Sequence, residues 1–71
     1  MIIFSPHSLI KLHQRGLSQS VILDVITNPD TIELGHDNRE IARKDMGKLE
    51  LRVVFCREFD TIIVITAYWH E

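Results

Sequence analysis

The sequence predicts an α+β domain of order β-α-α-β-β-β-β, with two N-terminal helices packed on one face of an antiparallel sheet. Three observations predict it. Two helix-period segments, each preceded by a serine, fill the chain up to Asn28. From Thr31 onward the chain breaks into strand-like runs. The turns between those runs are short, which forces antiparallel neighbours. At 71 residues the chain is one domain, spanning residues 1–71.

Met1 to Phe4 is apolar and rich in β-branched and aromatic residues, so it reads as a short buried strand. Ser5 then caps a helix running from Pro6 to about Arg15, with proline at the first position, where no backbone donor is needed. Leu9, Ile10 and Leu12 form its apolar side; His7, Lys11 and Arg15 share a polar stripe. Gly16 ends it, because glycine adopts the left-handed C-terminal conformation without a Cβ clash. The second helix starts at the Ser18 cap, with Leu17 and Ile22 placed as a hydrophobic staple. Val21, Ile22, Val25 and Ile26 form its core face, and Asn28-Pro29 stops it.

Thr31 to Leu34 is a strand, Gly35 to Asn38 a turn, and Arg39 to Asp45 a polar edge or hairpin strand. After Met46-Gly47-Lys48, Leu49 to Arg57 alternates. Leu49, Leu51, Val53 and Phe55 mark the core side; Glu50, Arg52, Val54 and Cys56 mark the other. Glu58-Phe59-Asp60 turns the chain into Thr61 to Trp69, which is apolar on both sides and belongs inside the sheet. Two helices cover one face only, so the opposite face is open. With Ile63, Ile65 and Ala67 toward the helices, the last strand presents Ile62, Val64, Thr66, Tyr68 and His70 on that open face, beside Arg52.

Composition narrows the classes. The single cysteine, Cys56, makes no internal disulfide, reads as a buried thiol and fits a reducing compartment. The N-terminus lacks a signal-peptide pattern, and Ile62 to Ile65 is too short to span a membrane, so the expectation is a cytoplasmic protein without membrane association. A hydrophobic fraction of 45% supplies one modest core and leaves room for a partner chain, a second copy included. The net charge of −2 is opposite to that of most nucleic-acid binders, yet six of the eight basic residues fall between Arg39 and Arg57. Glu40, Asp45 and Glu50 share that span, so a basic surface requires folding to separate the signs.

Several residues can carry chemistry. His7, in a helical first turn, suits general acid–base work beside a phosphate held by free backbone donors. Arg15 can hold a phosphate with its fork, or simply complement the helix C-terminus. Arg52, between Glu50 and Val53-Val54, needs an acceptor, whether Glu50, a ligand or a protein. Thr66, Tyr68 and His70 recur with period two and project together. Trp69, opposite them, reads as a packing anchor. The candidate catalytic set is His7, Arg52, Tyr68 and His70; Arg15, Thr66, Arg43 and Lys44 are candidates for binding substrate. The four histidines lack metal-ligand spacing, and no cofactor is expected.

Phe4-Ser5-Pro6-His7, Arg15-Gly16-Leu17-Ser18, Val25, Asn28-Pro29-Asp30, Leu51-Arg52-Val53-Val54 and Ile63 to Tyr68 together resemble the family called domain of unknown function 4258. That family is grouped with the RelE/ParE-like toxins. The resemblance implies their fold, RNA cleavage on or off the ribosome, and an antitoxin partner covering the open sheet. ParE-like relatives instead bind a DNA gyrase subunit. In this pattern His7 and Arg15 match the helical motif positions, and Thr66 and Tyr68 the closing strand. The slight acidity departs from the basic character of many RNA-cleaving relatives. The expected function is a metal-independent ribonuclease of a toxin–antitoxin pair. The alternative is a non-enzymatic module whose open face docks a protein, with Ile62 and Val64 as contacts, and an inert immunity-like or antitoxin partner is a third reading.

Overall fold

The computed structural model describes residues 1–71. Its elements are β1 (Ile2–Phe4), α1 (Pro6–Gln14), α2 (Gln19–Thr27), β2 (Thr31–Leu34), β3 (Arg39–Asp45), β4 (Glu50–Glu58) and β5 (Thr61–His70). The five strands form one sheet ordered β1-β5-β4-β3-β2, with both helices packed on one face. The expected architecture is thus the one observed, with one change: β1 runs parallel to β5, Ile2 opposite Ile62 and Phe4 opposite Val64, so the sheet is mixed. The helices lie between β1 and the rest of the sheet in the chain, and a connection that long permits a parallel pairing that a hairpin does not.

The helix ends follow the local chemistry. Ser5 Oγ accepts from the Ser8 amide at 3.1 Å, Pro6 occupies the first turn, and Ser18 Oγ accepts from the Val21 amide at 3.3 Å. Gly16, at φ +66°, turns the chain out of α1 in the left-handed region. The buried face of α1 differs from the expected one. Ser8 and Leu12, one turn apart, are buried, whereas Leu9 and Ile10 are exposed. The small Ser8 donates its hydroxyl to the Ser5 carbonyl at 2.7 Å, and so enters the core without an unpaired polar atom. α2 buries Ile22, Val25 and Ile26 over β3 and β4.

Leu51, Val53 and Phe55 of β4 are fully buried, which fixes its helix-facing side and leaves Glu50, Arg52, Val54 and Cys56 on the open side. Cys56 is half-buried there instead of fully buried as its residue type suggests. β3 lies inside the sheet and β2 forms the edge, with all four of its residues exposed.

The main correction concerns β5. Val54 pairs with Thr66 but the next residue, Phe55, pairs with Val64, so Ile65 is an extra residue, a β-bulge. Facing pairs share a side of the sheet. Before the bulge, Ile62 and Val64 therefore lie on the helix side; Val64 is fully buried and Ile62 packs against the core. Ile63 takes the open side opposite Cys56. After the bulge, Ala67 and Trp69 lie on the helix side, and Thr66, Tyr68 and His70 on the open side. Ile62 and Val64 are thus core residues and not open-face contacts. Ala67 is buried, but Trp69 is 39% exposed and anchors less than its size suggests.

Candidate functional site

The centre of the open face is built from four cross-strand pairs. Arg43 of β3 faces Arg52 of β4, and Arg52 faces Tyr68 of β5. One register step along, Asp45 faces Glu50, and Glu50 faces His70. Two guanidinium groups in adjacent strands repel unless an anion lies between them. Glu50 supplies it. Arg43 grips its carboxylate with two donors, Nε at 2.8 Å and Nη2 at 3.2 Å, and Arg52 donates Nε to the same Oε1 at 2.6 Å. The third nitrogen of Arg43, Nη1, reaches Glu33 of β2 at 3.3 Å.

The electrostatics follow. Hydrogen bonds from Arg43 and then Arg52 hold the Glu50 carboxyl well below its ordinary range, at about 2. The Arg52 pKa is raised chiefly by its bond to Glu50, with the Tyr68 hydroxyl acting in the same direction. Arg43 and Arg52 differ in what remains free. All three nitrogens of Arg43 have carboxylate partners. Arg52 meets a carboxylate through Nε alone, and its side chain is only 17% exposed. No carboxylate binds its two terminal nitrogens, and the Tyr68 hydroxyl lies beside the group. A fork of this kind matches the paired oxygens of a phosphate or carboxylate.

The other candidates lie around this centre or away from it. Thr66 is two residues before Tyr68 on the same face. Arg15, the C-cap residue of α1, reaches it across the border of the sheet: Nη1 donates to Thr66 Oγ1 at 3.2 Å and to the Ala67 carbonyl at 2.5 Å. The polar stripe of α1 thus delivers one residue to the site. His7, exposed in the first turn of α1, belongs to the helix layer on the side of the sheet away from Arg52. Lys44 faces Leu51 on the helix side and binds Asp24 of α2 at 3.0 Å, drawing that carboxyl below its usual range. Glu33 is not legible from the sequence as part of the group, since its place depends on the β2–β3 register. Its position opposite Ile41, beside Arg43, is what brings it there.

Beside this centre the open face carries an apolar group, bordered by Arg39 opposite Cys56 and Glu33 opposite Ile41. Ile41, Val54, Cys56 and Ile63 are half-buried, and Ile3 of β1 is exposed beside Ile63. The surface is shallow, with no cavity. No group of three or more His, Cys, Asp or Glu side chains converges anywhere in the fold, and no helix is long and apolar enough to cross a membrane.

Comparison with known proteins finds no matching curated protein and no matching solved structure. One family model matches residues 4–69, which is nearly the whole chain and takes in part or all of every element described above. By that match the chain belongs to the family described as Domain of unknown function (DUF4258).

Proposed function

We propose that this domain is a toxin-like ribonuclease that engages single-stranded RNA on its open sheet face. The observation that carries the reading is the Arg52 fork, rooted on Glu50 and flanked by Tyr68 and His70. In such a reaction a ribose 2′-hydroxyl loses its proton to a base and attacks the adjacent phosphorus. The 5′-oxygen leaves with a proton from an acid, and a 2′,3′-cyclic phosphate remains. His70 and Tyr68 are the proton-exchanging groups of this face, and the terminal nitrogens of Arg52 meet the charge that builds on the phosphate oxygens. Tyr68 also offers a ring on which a splayed base can stack. Arg15 and Thr66 extend the site along β5, and Arg43 holds Glu50 in place. His7 and Lys44 have no part in this version of the site. The resemblance of the sequence to a family grouped with the RelE/ParE-like toxins favours the same reading, and implies an antitoxin-like protein as partner.

The test is cleavage of an unstructured RNA by purified protein, without added metal. Arg52→Ala and His70→Ala each reduce the rate by ~100-fold or more under this reading. Rates unchanged in both variants contradict it. A second reading, a non-enzymatic module docking a protein, is favoured by two features: the carboxylates already on Arg43, and the apolar half of the face from Ile3 to Ile41. Under that reading no RNA is lost, and Ile63→Lys or Ile41→Lys, not Arg52→Ala, abolishes partner binding.

A further inference from the structure

The sheet has a free edge that is not at its end. β1 pairs with β5 only along Ile62, Ile63 and Val64, after which the chain leaves for α1. β5 continues to His70, so its side away from β4 lacks a neighbouring strand from Ile65 onward. The Ala67 carbonyl points outward there, since Arg15 Nη1 donates to it at 2.5 Å. Trp69, two residues on, turns its backbone groups to the same side. A strand edge with no neighbouring strand is a template for another strand, and here only the Arg15 side chain reaches it.

We propose that this edge pairs with the same edge of a second copy, antiparallel about a two-fold axis at Tyr68, to give one continuous sheet. The register follows from the outward groups. Ala67 of one copy and Trp69 of the other become hydrogen-bonded partners, twice by symmetry, for about four backbone bonds. The Trp69 amide replaces the Arg15 guanidinium on the Ala67 carbonyl. The side chains complement one another in this register. On the helix side each half-exposed Trp69 lies across from the small Ala67. On the open side the two Tyr68 rings meet at the axis, and each Thr66 hydroxyl faces a His70 imidazole. No charged residue occurs from Thr61 to Trp69, so the pairing sets no like charges against each other. The β2 edge lacks this property, because it carries Glu33 within the strand and Asp30 at its start.

The proposal does not rest on any RNA chemistry, and mass alone decides it. Sedimentation equilibrium of the purified protein at sub-millimolar concentration is expected to give the mass of two chains, falling toward one on dilution. Trp69→Pro removes an outward N–H while leaving the bonds to β4 in place, a position where an edge proline is tolerated. It is expected to be monomeric with an unchanged circular dichroism spectrum. Should that variant not fold, Tyr68→Cys in a Cys56→Ser background provides an independent test. Facing residues of a non-hydrogen-bonded pair have Cα atoms ~4.5 Å apart, within disulfide range. Mild oxidation is therefore expected to yield a covalent dimer. A wild-type protein that stays monomeric overturns the proposal, as does a dimer that survives in folded Trp69→Pro. Failure of the Tyr68→Cys variant to cross-link overturns it as well.

Discussion

Deleting Ile65 probes the feature that aims the open face. The bulge lets Val64 and Thr66 point to opposite sides of the sheet although they are two residues apart. Without Ile65, β5 alternates without interruption, and one half must turn over. If the N-terminal half turns, Val64 leaves the core, at a cost of ~1.5–3 kcal/mol, and Ile62 adds a partial loss of the same kind. If the C-terminal half turns, Thr66 and Tyr68 enter the helix-packed layer in place of Ala67, which is fully buried and has no room to spare. Burying a hydroxyl without a partner costs ~1–3 kcal/mol, and overpacking a further ~1–3 kcal/mol. Either route costs about 2 kcal/mol or more, a large share of the ~5–10 kcal/mol typical of a small domain. Urea unfolding followed by circular dichroism measures it directly. A deletion variant within about 0.5 kcal/mol of wild type refutes the reasoning, because it means the bulge does not set the facing of either half.

Further predictions concern the site and the turns. Glu50 titrates at about 2 when folded, against an ordinary value of 4.5, so it stabilises the fold above pH 4.5 and that stabilisation disappears as the pH falls toward 2. Thermal melts across this range should show the loss in wild type and a smaller one in Glu50→Gln; identical profiles refute the assignment. Phe59 is fully exposed at φ +54° in the β4–β5 hairpin, where glycine is the usual occupant. Phe59→Gly should therefore stabilise the domain by ~1 kcal/mol in chemical unfolding. Ser18→Ala removes the hydroxyl that caps α2 and should cost ~1 kcal/mol by the same measurement, while Ser18→Asp should cost little.

The parts of the fold legible in the sequence are those written in one or two adjacent residues. Ser5-Pro6, Gly16, Ser18 and Asn28-Pro29 each act on the backbone beside them, and the helix ends fall where they stand. The alternation of β4 is equally local, and places Arg52 on the open face with Glu50 among its acceptors. The bulge is not legible because Ile62 to Ile65 is uniformly apolar, and a run of four β-branched residues bears no mark of a change in facing. The parallel pairing of β1 depends on where α1 and α2 return the chain, which no residue of β1 encodes. Ser8 is polar, so its type speaks against burial, although its spacing from Leu12 puts it on the buried stripe. The candidate residues divide for the same reason. Arg43, Arg52, Tyr68 and His70 share a face through strand parity, whereas only residue type groups His7 and Lys44 with them.

The most direct test of the account is a titration of the 15N-labelled protein with a short single-stranded oligoribonucleotide, followed by amide chemical shifts. The account predicts changes centred on Arg52, Thr66, Tyr68 and His70, extending to the Arg15 side chain, and absent from Arg52→Ala. Changes centred on α2 and Lys44, or none at RNA concentrations far above that of the protein, contradict it.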